Sequence, residues 1–394
     1  MNLIALRIIR SKWRGAAPPV ALTVALAVVC LLACTLAQAQ LPQGWTSVRA
    51  LGMGNAYTAV VSDSDSIFYN PAALIKVKGV NWTVMDPRIG ADNVTNANLI
   101  KSLSNTSNIA NTVNSLYGDQ LFAGGGAKSA IAFPYFGAAA YVNTEANIAV
   151  SNPPDPSALI NYFFDYGAAL SAAVEPAPGF GLGVTARYIN RTGTNQTIGA
   201  AVISQNNTSQ LQNMLEDRGW AVAVDLGAVI TAPGPLSPTL SFVYRDMGNT
   251  TFSHDQGAQA PQPVQSEMIA GASLTFSGPG LRLTPSIDYR YIGWSNVATG
   301  QNINLGCELH LLFIDLRGGL SQGYYTAGAG LNLGLIRLDA ATWAEELGAY
   351  SGQAVDRRYM VQLTIELGFD PGRFLGNGNG GSGSGSGSHL IQRR

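Results

Sequence analysis

From about residue 80 to residue 369 the chain alternates apolar and polar residues in short runs, and this period of two constrains the fold most. A strand sends successive side chains to opposite faces, so each run is expected to form a strand with one apolar and one polar face. In Gly181 to Ile189, Leu182, Val184, Ala186 and Tyr188 share one face, with Gly183, Thr185 and Arg187 on the other. In 281–291, Leu281, Leu283, Ile287, Tyr289 and Tyr291 are expected on one face, opposite Arg282, Thr284, Ser286, Asp288 and Arg290. About fourteen such runs are read, near 80–86, 128–134, 136–147, 163–174, 180–191, 219–231, 238–247, 264–276, 281–291, 302–312, 314–321, 324–332, 335–343 and 357–369.

The connections narrow the fold class further. Those after the first, third, fifth, seventh, ninth and thirteenth runs are long and rich in Asn, Thr, Ser and Gln. Those after even-numbered runs are short: Pro134-Tyr135, Glu175 to Gly179, Ala232 to Pro238, Ser277 to Gly280 and Leu333-Gly334. Gln322-Gly323, after the eleventh run, is a short exception. Outer-membrane barrels have short periplasmic turns and long external loops, so this rhythm places both termini in the periplasm. Only 12% of residues are charged, against about 25% in soluble domains, and 46% are hydrophobic. After the leader no apolar run is long enough for a transmembrane helix. A soluble β-sandwich would explain the alternation, but not the loop rhythm or the low charge. The expected fold is all-β: a transmembrane antiparallel β-barrel of about 14 strands over residues 79–369, in an outer membrane.

Residues 1–39 read as a signal peptide. Arg7, Arg10, Lys12 and Arg14 precede the apolar Val20 to Leu36, and Ala37-Gln38-Ala39 is a cleavage site. Lipoprotein processing at Cys34 and an uncleaved anchor are the alternatives. Cleavage after Ala39 leaves Cys307 alone, which excludes an internal disulfide and a Cys/His metal cluster. No cofactor or metal is expected. A net charge of −1 supplies no basic patch for nucleic acid. The 370–394 tail is Gly/Ser-rich and reads as flexible coil.

Following the alternation, one set of faces carries Arg187, Asp225, Arg245, Glu267, Arg282, Asp288, Arg290, Glu308, His310, Asp315, Arg317, Arg337, Asp339 and Glu366. Their signs nearly alternate between successive strands, so cross-strand pairing is expected. The opposite faces carry Val, Leu, Ala, Ile, Phe and Tyr, as lipid contact requires. The interior is therefore expected to hold a charge network. Glu308 and His310 share a face two residues apart, but no nucleophile is indicated beside them, and lumen packing is preferred to catalysis.

A barrel this wide is not filled by its own strand side chains, and residues 40–78, ahead of the first strand, are expected to fold inward as a plug. Gly52 and Gly54 permit conformations closed to other residues, and Asn70-Pro71 presets a turn. Asp63 and Asp65 lack the rest of a calcium loop and are expected in wall salt bridges or solvent contact. "RALGMGNAYTAVVSDSDSIFYNPAAL" (49–74) resembles the N-terminal signature of the FadL-like superfamily of outer-membrane transporters, which includes the PorV/PorQ branch. Gly52, Met53, Gly54, Ala56, Thr58, Ala59, Val60, Asn70, Pro71, Ala72 and Leu74 match the pattern; Asn55 and Ala73 depart from it. Residues 318–359 resemble the closing strands of the PorV/PorQ branch. "RRYMVQLTIELGF" (357–369) resembles the C-terminal strand by which the barrel-assembly machinery recognises outer-membrane proteins.

The resemblance implies a fourteen-strand barrel with an N-terminal hatch, transporting hydrophobic molecules such as long-chain fatty acids, with lateral release through the wall into outer-membrane lipid. The PorV/PorQ branch implies instead a partner of secretion machinery or its cargo. Strand-kinking prolines mark candidate wall gaps; Pro134 is expected in a turn and Pro285 in a bulge. Loops 87–127 and 192–218 are expected outside the membrane. Within the first, Leu99, Leu103, Ile109, Val113 and Leu116 lie near helical spacing, fitting either a lid or a solvated loop.

Overall fold

Strands with one apolar and one polar face need lipid or core on one side and a polar interior on the other. Closing such a sheet removes its unpaired edges. The computed structural model describes residues 44–92, 120–151, 157–199, 216–295, 297–347, 352 and 355–369. It contains fourteen antiparallel strands: β1 (Val80–Met85 and Arg88–Ala91), β2 (Gln120–Phe133), β3 (Phe136–Ser151), β4 (Ser157–Ala177), β5 (Phe180–Gly199), β6 (Asp217–Thr231) and β7 (Thr239–Arg245). The second half comprises β8 (Glu267–Ser273 and Phe276–Gly278), β9 (Leu281–Tyr289), β10 (Ile303–Leu311), β11 (Ile314–Ser321), β12 (Tyr324–Asn332), β13 (Ile336–Glu346) and β14 (Val355–Phe369). Each strand pairs with its sequence neighbours, and β1 also pairs with β14, from Val80↔Phe369 to Ala91↔Tyr359, so the sheet closes into a barrel.

Every run read from the sequence corresponds to one strand, but several strands are longer than their runs. β2 starts at Gln120, β4 at Ser157, and β5 reaches Gly199, taking in residues expected in external loops. Gly124 pairs with Glu145 and Asn195 with Asn161. These stretches show little apolar contrast, yet a ladder needs only backbone groups.

β1 carries a one-residue bulge. Its register against β14 shifts between Thr83 and Met85, and its register against β2 shifts by the same single residue. The extra residue reverses which parity faces inward. Thr83 is buried before the bulge, and Asp86 and Arg88 after it. Pro285 behaves differently from the expected bulge: Ser286↔Ser273 and Leu283↔Phe276 keep one register on either side of it. Lacking an N–H, Pro285 breaks the ladder without shifting it. Leu274 still donates to its carbonyl (3.1 Å), and the Thr275 N–H, on the opposite edge of β8, donates to Leu236 O on the β7 side (2.8 Å). Pro134 lies, as expected, in the β2–β3 turn.

Tyr291 departs from the expected outward face. The chain reverses just past β9, Tyr291 takes a positive φ of 54°, and its ring is buried against Trp294 and the Arg290 guanidinium. Elsewhere the outer faces are apolar as expected, with Leu170, Val184, Val222, Leu240, Leu305, Leu338 and Val361 exposed. Among the described residues no helix is long and apolar enough to span a membrane.

Candidate functional site: an N-terminal segment in a charged lumen

The segment Gly44 to Val77 lies inside the barrel. It forms α1 (Val48–Gly52), α2 (Ser66–Tyr69) and a 3-10 helix (Pro71–Lys76). Such short helices are unstable alone, so burial against the wall holds them. Ser47 caps α1 by accepting from Ala50 N, and Asn70 caps the 3-10 helix by accepting from Ala72 N, with Pro71 at the first helical position.

Small residues let the two backbones approach. Gly54 has φ +62°, and a Cβ there would overlap Leu305 O and fall 2.6 Å from Leu320 O. The wall answers with glycines of its own: a Cβ on Gly319 would lie 2.8 Å from Gly54 N, and one on Gly306 would overlap Met53 O. Gly52 faces Gly328 in the same way. Asn70 is fully buried and donates Nδ2 to Thr58 O (3.2 Å) and Ala228 O (3.3 Å), tying the segment to β6. A Cβ on Gly227 would overlap Asn70 Oδ1, and one on Gly183 would overlap Ala72 N. Thus Gly52, Met53, Gly54, Asn70, Pro71 and Ala72 all meet the wall at close quarters.

Charged groups supply further ties. Arg49 donates Nε (2.8 Å) and Nη2 (2.6 Å) to the two oxygens of Glu308, and Nη1 to Asp63 (3.2 Å). Asp65 accepts from Lys128 Nζ (2.8 Å), which also donates to Asp86. Asp65 is thus paired with the wall, as expected, whereas Asp63 pairs within the segment. Asp288 accepts from Tyr57 N (3.0 Å), Thr58 N (3.1 Å) and Thr58 Oγ1 (2.8 Å). Lys76 donates to Ala59 O (2.9 Å), and burial pushes its ammonium down to about 8. Trp45 packs between Phe68 and Tyr141, with the Arg88 guanidinium 3.9 Å above its ring.

The wall charges read from the sequence form three groups. Arg187 donates to Asp225 (2.8 and 3.0 Å) and Asp246 (2.9 Å). Glu267 accepts two bonds from Arg290 (2.7 and 3.0 Å) and faces Arg245 at 3.6 Å. Arg317 donates to Glu308, Asp315 and Asp339, each at 2.8 Å, and Arg337 joins Asp339 (2.8 Å). Asp288 serves the N-terminal segment instead, and Arg282 sits in register with His310 near the turn end. His310 pairs with Asp315, so Glu308 and His310 go to separate partners.

Several charges escaped the sequence reading. Asp86 and Arg88 follow the β1 bulge, whose parity change hides them. Lys128 lies in Gly- and Ala-rich β2, where alternation has little contrast. Asp165 and Arg191, direct cross-strand partners bonded at 2.7 and 2.6 Å, both lie within the runs 163–174 and 180–191 but at their loop ends, and are not among the inward charges read from the sequence. Arg358, with Glu345 (2.8 Å) and Asp356 (2.6 Å), gave only a charge among charges. Among the described residues no group of His, Cys, Asp and Glu could hold a metal. The signal peptide, the candidate lid near 99–117 and the 370–394 tail lie outside the described residues.

Two recesses beside the segment each hold about 20 Å³, room for about one water molecule. One lies between Trp45, Phe68 and Arg245, the other between Arg49, Lys128 and Asp339.

No family model matches the chain, and no curated protein matches it. Its structural neighbours include hydrocarbon channels, a FadL homologue and CdiB from Escherichia coli and Acinetobacter baumannii. The Pseudomonas putida toluene transporter TodX is 10% identical with a TM-score of 0.46, covering 84% of this chain and 98% of TodX. The monoaromatic hydrocarbon channel CymD is 10% identical at a TM-score of 0.45, covering 81% and 96%. A FadL homologue from Pseudomonas aeruginosa is 10% identical at 0.37, covering 83% and 99%.

Proposed function

We propose that this is an outer-membrane transporter of hydrophobic small molecules in which residues 44–77 act as a movable plug, with the long loops outside and both termini periplasmic. The observation that carries this reading is the seating of the signature residues. Gly52 to Gly54 and Asn70 to Ala72, which carry the FadL-like resemblance, are the ones that fit the segment against wall glycines and hold the lumen shut. The apolar belt supports lateral release, because an amphiphile leaving through the wall need not cross the charged lumen. The β8–β9 boundary is the candidate exit, since Pro285 cannot donate its ladder bond there. Recognition of β14 by the barrel-assembly machinery fits its alternation and its position at the closing seam.

A second reading is favoured by the resemblance of residues 318–359 to the PorV/PorQ branch and by the buried ion pairs that seal the lumen. The barrel would then be a stationary partner of secretion machinery or its cargo. Uptake of labelled long-chain fatty acid by cells lacking their own outer-membrane transporter separates the two. Restored uptake, lost on Asn70→Ala with Pro71→Ala while the barrel still assembles, supports the plugged transporter. No uptake from a correctly assembled barrel shifts the reading to the partner role.

A further inference from the structure

The wall of this barrel is far from equal in height around its circumference. β4 and β5 run for 21 and 20 residues, whereas β10, β11 and β12 have 9, 8 and 9. β11 and β12 are bounded at both ends by tight turns at Leu312-Phe313, Gln322-Gly323 and Leu333 to Leu335, so their height is fixed rather than continued by loops, whereas β10 shares the first of these turns and follows the 290–302 connection at its other end.

The lipid-facing belt follows the same inequality. On the short side it reaches from Leu312 to Leu320, whose register partner on β12 is Tyr325. Of this span only Ile314 to Leu320 is strand, and those six steps, at about 3.4 Å each and tilted by about 40°, rise roughly 16 Å, with Leu312 and Phe313 carrying the belt onto the turn. On the long side β4 exposes Val174, Leu170, Tyr166 and Phe164. That span of ten steps rises roughly 26 Å, close to the belt of an ordinary outer-membrane barrel.

Both margins of the short belt are built for lipid. At the turn end Leu312 (62% exposed), Phe313 (54%) and Leu333 (62%) place apolar side chains on the turns themselves, where a solvated hairpin would carry polar ones. They continue the belt to its last available position. At the loop end Tyr325 is 63% exposed, and Arg357 lies across it, 3.9 Å above the ring, with Nη1 donating to Tyr325 O at 2.7 Å. Arg357 is on the outward face of β14, in register with the buried Ala344. A guanidinium held over an aromatic ring at the membrane boundary is an anchor for lipid headgroups.

We infer that the β10–β12 face thins the bilayer beside it, with the Arg357–Tyr325 ledge holding the loop-end headgroups down and Leu312, Phe313 and Leu333 holding the opposite leaflet up. Lipid is the occupant because these residues extend a belt already facing it. A belt shorter than the hydrocarbon layer is accommodated by thinning, snorkelling or oligomerisation, and anchored margins on both sides favour thinning. This inference rests on the transmembrane barrel and is independent of what the protein transports.

Nitroxide labels test it, attached at Leu320→Cys, Leu312→Cys or Tyr166→Cys in a Cys307→Ser chain, with Cys307→Ser alone as the background. The full chain is reconstituted in phosphatidylcholine vesicles with 14-carbon or 20-carbon acyl chains. Depth is read from the relative accessibility of the label to oxygen and to a water-soluble nickel chelate. Labels at Leu320 and Leu312 are both expected to stay at headgroup depth in the thick vesicles, while the label at Tyr166 sinks into hydrocarbon. Adding Arg357→Ala is expected to let the Leu320 label sink while the Leu312 label stays. If either short-wall label lies in hydrocarbon in the thick vesicles, the barrel tilts or sinks instead and thinning is refuted. An Arg357→Ala chain indistinguishable from its parent refutes the anchor.

Discussion

Gly54→Ala should unseat the plug without harming the barrel. The residue has φ +62°, a conformation that costs an L side chain about 1–2 kcal/mol. Its new methyl group would meet Leu305 O and Leu320 O, both fixed in the β10–β11 ladder, so the wall cannot yield as a side chain would. Overpacking of this kind adds about 1–3 kcal/mol. At 1.4 kcal/mol per factor of ten, the seated state loses roughly 30- to 4,000-fold in population relative to the displaced one. Amide hydrogen exchange over residues 45–60 reads this directly, because protection there reports local opening. Exchange should quicken by that factor while amides of β3 to β5 keep their protection. Gly44→Ala is the matched control: nothing lies within 4 Å of its added methyl, and its exchange should match wild type. A Gly54→Ala protein with wild-type protection over 45–60 would refute the claim that backbone proximity at Gly54 seats the plug.

Glu308→Gln should destabilise the seated plug by about 3–5 kcal/mol, because it leaves Arg49 and Arg317 buried together without their shared carboxylate. Planar-bilayer recordings should show conducting bursts rare in wild type; equally quiet records would contradict this. Lys76 gives a pH dependence of determined sign. Its amine is held near 8 in the seated plug, below the ordinary value of about 10.4, so the displaced plug binds more protons between those limits. Seating should therefore strengthen as pH rises from about 8 to about 10.5, so that plug protection factors, corrected for the intrinsic exchange rate, grow over that range, and Lys76→Met should flatten that growth. Pro285→Ala restores a ladder donor at the β8–β9 boundary. If hydrophobic substrates leave there, uptake should fall while plug protection stays unchanged; undiminished uptake would place the exit elsewhere.

The barrel was legible because its strongest signal is local. In β9, Arg282, Ser286 and Asp288 alternate with Leu281, Leu283 and Ile287 over a few residues, and the loop rhythm then ordered the strands. Cross-strand pairs such as Glu308↔Arg317 and Arg245↔Glu267 were foreshadowed by the alternating signs. Less visible was whatever depended on register. The β1 bulge inverts parity for Asp86 and Arg88, and nothing in "NWTVMDPRIG" marks which residue is extra. The fit of Gly54 to Gly306 and Gly319 joins residues more than 250 positions apart, and glycine carries no pattern of its own. Tyr291 misled because alternation continues through it although the ladder has ended. Pro285 announced a broken bond correctly, but whether a proline shifts register or only interrupts it depends on the strands beside it.

The seam between β1 and β14 has a consequence for assembly. The first and last strands meet only with each other's help, and the residues that fill the interior are made before any strand exists to surround them. Their partners arrive in scattered order: Asp65 waits for Lys128, Thr58 for Asp288, and Val48 for Gln362. The final strand thus delivers both the closing ladder and one of the last contacts to the earliest-made segment. Filling and sealing are for that reason parts of a single cooperative step. A chain stopped before β14 would leave an open sheet with its buried charges facing water, marked for removal by its own unfinished edge.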